Sequence, residues 1–380
     1  MAMGRPPAKS QKAYQHIKNA LVKIKQDITM KTALFFLMSL LTFSAFSESD
    51  IPSNSAVILV YHHVSTATPP STSVSPALFR EHMAYITANH TVIDAKSLIE
   101  GLKNNLPLPE DAVVITFDDG YNNILENAHP ILSEMALPYT VFINPERISQ
   151  EKNQLTWAQV KQMHSAGVTF ANHTLDHLHM LDRMSGETSE QWLSRVWSNV
   201  KNAQQQLEER LGETVPQWLA YPFGEYNERL SDRLKHEGYI GFAQHSGAVS
   251  GSSNLSALPR FPAAGIYANL NTLKTKMRSL GLPITHVTPT NPERKQGDNI
   301  HFSMKFDASD IHTHLFQCFY KGNKIEHSLS ANVLKVETQI SLPVGRSRVN
   351  CTAPSKSQNG RYYWYSQPFF VARSDGTYPD

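Results

Sequence analysis

The sequence has almost no net charge. The 380 residues include 35 lysines and arginines against 33 aspartates and glutamates, for a formal charge of +2. Residues 1–47 contain seven of the basic residues and one acidic residue, so the remainder has 28 basic and 32 acidic residues, a net of −4. Since phosphate binding requires a basic face, no nucleic-acid partner is expected.

A long apolar run is also missing. The run Ala33–Leu41 is too short for a comfortable membrane span. Met30-Lys31 precedes it and Ala45-Phe46-Ser47 follows, which together predict a signal peptide at 30–47 and a periplasmic or secreted protein. The alternative is an uncleaved N-terminal segment that anchors the chain to a membrane. Residues 1–29 are interpreted as an extension upstream of the true start, or alternatively as a basic cytoplasmic tail.

Cysteine is the third scarce feature, with Cys318 and Cys351 alone in the chain. No histidine motif accompanies either residue, which argues against a catalytic thiol. Two lone cysteines within one small domain of an exported protein are expected to form a disulfide. The alternative is a pair of buried free thiols.

Apolar strands alternate with amphipathic helices from residue 55 to about 280, which predicts a parallel sheet covered by helices. About seven strands suit a (β/α) barrel better than a short open sheet. The predicted strands are Val57–Tyr61, Val113–Phe117, Tyr139–Ile143, Val168–Ala171, Trp218–Tyr221, Ile240–Ala243 and Ala257–Arg260. The predicted helices are Pro76–Asn89, Asn123–Met135, Thr156–Ala166, Glu190–Leu211 and Asn227–Glu237.

The pattern changes after a polar, proline-containing linker. Alternating apolar and polar residues with glycine-containing turns predict a small antiparallel β-sandwich domain at 286–380. The partner of this domain cannot be named from the sequence. Its aromatic run Tyr362–Tyr365 is interpreted either as a sugar-stacking surface or as residues that alternate between core and surface.

Polar side chains follow the predicted strands of the first domain. They are Tyr61-His62-His63, Asp118-Asp119, Asn172-His173, Pro222-Phe223-Gly224 and Gln244-His245. In a parallel α/β barrel the carboxyl ends of the strands converge on one mouth, where active sites are built. Residues far apart in sequence are therefore expected to meet there.

Three of these positions could bind a metal. Asp119, His173 and His177 supply one carboxylate and two imidazoles, a set that suits Zn²⁺ and alternatively Co²⁺, Ni²⁺ or Fe²⁺. Asp118 would then stay free beside the metal as a base. A metal and a base are two of the needs of amide hydrolysis, which also requires an acid for the leaving amine.

At this point the sequence resembles a known family. Thr116-Phe117-Asp118-Asp119-Gly120-Tyr121, His173-Thr174-Leu175-Asp176-His177 and Ala220-Tyr221-Pro222-Phe223-Gly224 are similar to the first three motifs of the polysaccharide deacetylases, the NodB-like carbohydrate esterases. The resemblance covers roughly residues 55–265 and implies a distorted parallel barrel.

The resemblance also implies roles for these residues. Asp118 would be the general base, with Asp119, His173 and His177 as metal ligands and the Phe223 N–H as oxyanion donor. Tyr221 and His63 are expected to contact the substrate. The form of the motifs is similar to the branch that acts on poly-β-1,6-N-acetylglucosamine, which implies a polysaccharide substrate.

The sequence departs from the family pattern at two points. The third motif normally opens with an arginine that orients the base, and this chain has Ala220 there. Arg260 is the candidate substitute, or alternatively forms a surface salt bridge. The motif that supplies the general acid has no clear match, so His245 is the first candidate and His63 the second. These departures keep open a catalytically weak glycan-binding protein and, since the same site would cleave acetyl esters, an O-acetyl esterase.

Overall fold

Long apolar segments form the centre of the first half of the chain. The computed structural model describes residues 55–379, so the predicted extension at 1–29 and signal peptide at 30–47 lie outside it. Every residue of the strands SAVILVY at 55–61 and AVVITF at 112–117 is buried. Such uninterrupted burial is expected of parallel strands that are covered on both faces. Among residues 55–379, none of the helices has the length and hydropathy that a membrane span needs.

Eleven strands belong to the first half of the described chain. They are β1 Ser55–Tyr61, β2 His63–Val64, β3 Ser73–Val74, β4 Thr91–Val92, β5 Ala112–Phe117, β6 Thr140–Ile143, β7 Thr169–Asn172, β8 Trp218–Ala220, β9 Ile240–Phe242, β10 Val249–Ser250 and β11 Phe261–Pro262. The main sheet has the order β10-β1-β5-β6-β7-β8-β9, with β11 paired to β1 and β4 paired to β5.

Seven α-helices cover this sheet in the described residues. They are α1 Pro76–Asn89, α2 Ala95–Asn104, α3 His129–Glu134, α4 Trp157–Ser165, α5 Ser189–Leu211, α6 Glu228–His236 and α7 Leu270–Met277. Capping boxes at Thr156 and Thr188 fix the first turns of α4 and α5. Helix α2 was not predicted, although its buried residues Ala95, Leu98, Ile99 and Leu102 recur at helical spacing.

The segment after β9 brings the two ends of the curled sheet together. Leu258 forms a parallel bridge with Phe242 of β9, and Phe261 of β11 pairs with Leu59 of β1. The predicted distorted (β/α) barrel is therefore confirmed. The seventh strand is later and shorter than the predicted Ala257–Arg260, and β10 is an antiparallel addition to β1 that was not predicted.

Two further sheets form the C-terminal part. Their strands are β12 Leu280–Gly281, β13 Ile284–Thr288, β14 Glu293–Arg294, β15 Asn299–Phe306, β16 Gln317–Tyr320, β17 Asn323–Ile325, β18 Ser328–Ser330, β19 Val333–Ser341, β20 Gly345–Pro354 and β21 Tyr362–Val371. One sheet has the order β12-β21-β20-β16-β17 with β14 on β21, and the other has the order β13-β15-β19-β18.

Alternating side chains of the two sheets share one apolar core. The buried residues of β15 are Ile300, Phe302, Met304 and Phe306, which meet β20 residues such as Val349. This arrangement confirms the predicted β-sandwich. The predicted disulfide Cys318–Cys351 is present and joins β16 to β20 at directly paired positions.

Polar and aromatic contacts join the sandwich to the barrel. Arg361 lies 3.1 Å from the Asp111 carboxylate, and the ring of Trp364 packs edge-on against Phe261 at a centroid distance of 5.2 Å. The two parts belong to the same compact unit. Tyr362 is exposed while Trp364 is partly buried in this contact, so the aromatic run does not present one continuous stacking surface.

Candidate active site

The register between strands β1 and β5 determines where Asp118 and Asp119 lie. Strands β1 and β5 run parallel and in step, with Tyr61 level with Phe117, so the residues that follow both strands emerge side by side. The Asp118 N–H donates to the Tyr61 carbonyl at 3.0 Å and continues this pairing by one residue. Gly120 follows with φ +75°, and a Cβ there would lie 2.7 Å from Ile143 Cγ2. The turn that aims Asp118 and Asp119 therefore requires glycine at this position.

Asp118 is held by a two-point ion pair with Arg260. The guanidinium donates from Nη1 to Oδ1 and from Nη2 to Oδ2, both at 2.7 Å, and both side chains are fully buried. Arg260 Nε donates to the Ala243 carbonyl at 2.8 Å, and Nη1 also reaches Thr116 Oγ1 at 3.2 Å. The planar guanidinium therefore fixes both the position and the orientation of the carboxylate.

Arg260 also determines the charge of Asp118. Burial by itself would raise the pKa of the Asp118 carboxyl, but the charges of Arg260 and His173 outweigh burial and lower that pKa below its usual value. Gln244 Nε2 donates a long hydrogen bond to Asp118 Oδ2 at 3.4 Å. Asp118 is thus an ionised carboxylate at neutral pH, with one face against Arg260.

Three potential metal-ligating side chains meet beside Asp118. Asp119 Oδ1 lies 3.2 Å from His173 Nε2 and 3.3 Å from His177 Nε2. One ligand atom from each of the three residues lies within 4.8 Å of the other two. Asp119 and His177 have positive φ values of 71° and 63°, so the backbone itself is bent to direct these side chains inward.

Hydrogen bonds orient His173 from behind. Its Nδ1 lies 2.8 Å from the Ala220 carbonyl, so a proton on Nδ1 leaves the Nε2 lone pair directed at Asp119 and His177. The amide of Asn144 donates to the carbonyls of His173 and Thr174. Ala220, which replaces the arginine of the family motif, therefore contributes to the site through its carbonyl oxygen.

The charge balance of this cluster suits a cation. Burial lowers the pKa of His173, yet the carboxylates of Asp118 and Asp119 overcome burial and raise it. His173 Nε2 is buried 3.2 Å from Asp119 Oδ1. For His177, burial and the neighbouring His173 lower the pKa to about 3. Two carboxylates thus create a point that attracts positive charge, and the carboxylate-imidazole donor set fits a divalent transition metal.

The third motif forms one side of the site through a strained turn. Phe223 has φ +57° and ψ 2°, a left-handed conformation that is rare for a bulky residue. Its ring stacks on His179 at a centroid distance of 3.8 Å and meets His177 edge-on at 4.5 Å. Gly224, with φ +72°, lies so close to Gln244 that a Cβ would be 2.7 Å from the Gln244 Cβ. The turn is therefore packed against the candidate metal ligand His177 on one side and against Gln244, in the segment after β9, on the other.

An open cleft of about 660 Å³ runs past Asp119, His177 and Phe223. Its wall includes Asp119, Tyr121, His177, Phe223 and His245 from the barrel. The sandwich supplies further lining residues, namely Arg346, Ser347, Arg348, Pro368 and Phe370. A cleft of this size is within the range of small-molecule sites.

Two of the remaining predicted site residues, His63 and Tyr221, lie outside the cleft lining. His63 is only 5 % exposed and stacks beneath Tyr121 at a centroid distance of 3.7 Å, and its Nδ1 accepts from Asn123 at 2.9 Å. The Tyr221 side chain is fully buried, and its hydroxyl donates to the Ser256 carbonyl at 2.8 Å. Neither side chain lines the cleft, so the direct substrate contacts expected of them are not available in this conformation.

His245 does line the cleft. Burial and the charge of Arg348 lower its pKa to about 3, and its Nδ1 is buried without a hydrogen-bond partner. The imidazole is thus neutral at physiological pH.

Sequence reasoning missed several residues of the wall. His62, not His63, faces the cleft, and its charge contributes to the lowered pKa values of Asp118 and Asp119. The paired histidines gave a signal, but only the strand register decides which one faces inward. Arg346 and Arg348 come from the sandwich, and no motif connects them with the barrel residues.

Comparisons with known proteins agree with this geometry. Residues 105–241 match the family model for polysaccharide deacetylase. The Bacillus subtilis protein YxkH, whose name assigns it provisionally to the polysaccharide deacetylases, is 30% identical over 205 residues, which cover 53% of this chain and 69% of that protein. The chain belongs to the polysaccharide deacetylase family. It is accordingly a hydrolase.

Two further proteins are similar to this chain, one in sequence and one in structure. The Escherichia coli K12 poly-β-1,6-N-acetyl-D-glucosamine N-deacetylase is 25% identical over 255 residues, which cover 57% of this chain but only 38% of that enzyme. The Streptococcus pyogenes deacetylase PplD, solved in complex with acetate, superimposes with a TM-score of 0.52 at 22% identity and covers 59% of this chain and 98% of PplD. The latter likeness concerns the fold.

The first prediction concerns metal binding. We expect this deacetylase to bind about one Zn²⁺ per chain, and Asp119→Ala or His177→Ala to lower the affinity at least tenfold because a catalytic zinc site needs three protein ligands. Isothermal titration of the metal-free protein measures this without reference to activity. His236→Ala, which removes an exposed histidine of α6, is the control. Unchanged affinity in both ligand variants would contradict the assignment.

The second prediction concerns the buried ion pair. We expect Arg260→Met to lower the free energy of unfolding by about 3–5 kcal/mol, because it leaves the Asp118 charge buried and unpaired. The double variant Arg260→Met/Asp118→Leu should recover much of that loss, since it removes both charges. Urea denaturation of the wild type, both single variants and the double variant measures the coupling. Additive effects of the two substitutions would be inconsistent with a coupled pair.

Proposed function

We propose that this chain is a metal-dependent N-deacetylase that removes acetyl groups from a polysaccharide containing N-acetylglucosamine. One observation carries the proposal. The ionised Asp118 carboxylate, fixed by Arg260 at two 2.7 Å contacts, directly precedes Asp119, whose ligand atom converges with those of His173 and His177, and Asp119 and His177 line an open cleft. A fixed base beside a metal site is the arrangement that hydrolysis of an unactivated amide requires.

Asp118 is the proposed general base. Arg260 holds one side of its carboxylate and lowers its pKa, so the group is ionised and ready to accept a proton from a water molecule. The same contacts restrict its rotation, which keeps the accepting oxygen in one place relative to the ligands. Arg260 thereby takes the orienting role of the arginine that Ala220 replaces.

Asp119, His173 and His177 would hold the metal. A divalent cation bound there supplies Lewis acidity, which polarises the acetyl carbonyl and lowers the pKa of water. The three side chains keep their donor atoms directed inward through the His173–Ala220 hydrogen bond and the positive φ angles of Asp119 and His177. Zn²⁺ is the proposed metal, with Co²⁺, Ni²⁺ and Fe²⁺ as alternatives.

The Phe223 N–H is the proposed donor to the acetyl oxygen as that oxygen becomes negative. The N–H groups of Gly224 and Glu225 are engaged by the Tyr221 and Pro222 carbonyls. Among residues 55–379 the Phe223 N–H makes no backbone hydrogen bond, which supports its assignment as a donor to a ligand. Phe223 is also one of the residues that line the cleft.

The leaving amine needs a proton, and two groups could return it. His245 has its pKa lowered to about 3 by burial and Arg348, so few molecules carry a protonated imidazole at neutral pH. Asp118 carries the proton that it has just taken from water, and its lowered pKa makes it a ready donor. We therefore favour Asp118 as both base and acid, with His245 as a wall residue.

The substrate assignment rests on the relatives. The Escherichia coli relative is named as a poly-β-1,6-N-acetyl-D-glucosamine N-deacetylase, although this chain spans only 38% of its length. We extend that substrate class to this chain because the cleft is open and an acetamido group on a polymer can enter from solvent. A polymeric substrate of this kind also suits the exported location that the signal peptide predicts.

The third prediction tests the activity and the base. Wild type with added Zn²⁺ should release acetate from β-1,6-linked N-acetylglucosamine oligomers, and Asp118→Asn should release it about 10²–10⁴-fold more slowly because the amide cannot accept the proton. Asp232→Asn, an exposed change on α6, is the matched control. Enzymatic measurement of free acetate gives the rates, and titration of metal affinity shows whether Asp118→Asn keeps the site.

Equal rates for wild type and Asp118→Asn would reject Asp118 as the base. An acetylated xylan assayed with the same preparations separates ester from amide hydrolysis. Acetate release from xylan alone would replace the N-deacetylase proposal with an O-acetyl esterase. Tight glycan binding without acetate release at full metal occupancy would indicate a binding protein instead.

The fourth prediction separates the two proton donors. If Asp118 returns the proton, His245→Gln should lower kcat/KM at pH 7 by less than about tenfold, far less than Asp118→Asn. Acetate release under identical metal loading measures both values, and thermal denaturation checks that the Gln variant remains folded. A loss as large as that of Asp118→Asn would assign the general acid to His245.

A further inference from the structure

The sandwich reaches the strained turn of the third motif through one side chain. Arg346, on β20, donates from Nη1 to the Phe223 carbonyl at 2.7 Å, and its guanidinium lies 5.4 Å from the centre of the Phe223 ring. These residues are 123 positions apart in sequence. A charge-assisted hydrogen bond of this length is stronger than one between neutral groups.

The Phe223 peptide is a place where such a bond matters. Phe223 adopts the left-handed region, which a bulky side chain enters only when its surroundings hold it there. The His179 and His177 rings hold its side chain from the barrel side. Among residues 55–379, Arg346 is the only hydrogen-bond donor to the Phe223 carbonyl. Arg346 therefore restrains the Phe223 carbonyl, in addition to the hydrogen bonds that the Gly224 and Glu225 N–H groups make within the turn.

Arg346 is itself well placed to act as a brace. Strand β20 pairs with β21 along its whole length, from Gly345–Val371 to Pro354–Tyr362. Strand β21 is joined to the barrel through Trp364, which packs on Phe261. Arg361, the residue immediately before β21, pairs with Asp111. Arg346 donates a hydrogen bond to the Phe223 carbonyl, and its charge also opposes the burial that raises the pKa of the neighbouring Glu225 carboxyl. The sandwich thus holds the guanidinium at a fixed distance from the turn.

We propose that Arg346 is a positioning residue for deacetylation: by holding the Phe223 carbonyl it keeps the turn left-handed and the Phe223 N–H directed at the cleft. The inference rests on the proposed function, in which that N–H stabilises the developing negative charge on the acetyl oxygen. The C-terminal sandwich is then a part of the catalytic unit, because it fixes a group that acts in the transition state.

Two variants of Arg346 test the proposal on the full chain with Zn²⁺. Arg346→Met keeps an unbranched stem over the Phe223 ring but removes the donor, whereas Arg346→Lys keeps a charged donor. We expect Arg346→Met to lower kcat about 10–100-fold with KM within about twofold of wild type, because an interaction made only in the transition state is weakened. Arg346→Lys should recover part of this loss. Lys324→Ala, an exposed charge removal elsewhere on the sandwich, should change nothing.

Amide hydrogen exchange supplies a readout that does not need activity. Peptides that span residues 221–226 should exchange faster in Arg346→Met than in wild type, and those from β5 should not. Wild-type kcat together with unchanged exchange in Arg346→Met would overturn the proposal. A raised KM at constant kcat would also overturn it, since Arg346 would then bind substrate. If wild type releases no acetate, the proposed function and the catalytic role of Arg346 both fail, while the exchange result still decides whether Arg346 braces the turn.

Discussion

The buried ion pair between Asp118 and Arg260 is the interaction on which the rest of the site depends. Neither side chain has any exposed surface, and a single charge in that position would be strongly unfavourable. Arg260 lies in the segment that joins β9 to β1, so the pair forms only when the barrel closes. Closure of the fold and burial of the ionised base are therefore one event, because each charge can be buried only with the other.

Backbone strain surrounds this pair in a consistent pattern. Asp119, His177 and Phe223 have φ values of 71°, 63° and 57°, and each directs a group toward the same cleft. Left-handed backbone in residues other than glycine persists only where neighbouring contacts determine it. The strain is offset by the buried hydrogen bonds and ring contacts around the turns, so the groups are in position before a ligand arrives. Such preorganisation is what electrostatic stabilisation of a transition state requires.

Local sequence predicted the architecture well because apolar runs specify buried parallel strands directly. The strand-end positions of Asp118 and His173 followed from that reading alone. The pairing of Arg260 with Asp118 was inferred only as a substitute for Ala220, since a bidentate contact depends on the path of the closing segment. Which histidine of the His62-His63 pair faces the cleft depends on strand register. No local pattern could have predicted Arg346, because its contact with Phe223 depends on how two domains pack.

The cleft is shared between the part of the chain that matches the family model and the part that follows it. The family model covers residues 105–241, which lie entirely in the barrel. One wall of the cleft comes from β20 and β21, so the sandwich shares the cleft with the barrel. Because Arg346 lies on that wall and also contacts Phe223, the strand that closes one side of the cleft also supports the oxyanion turn.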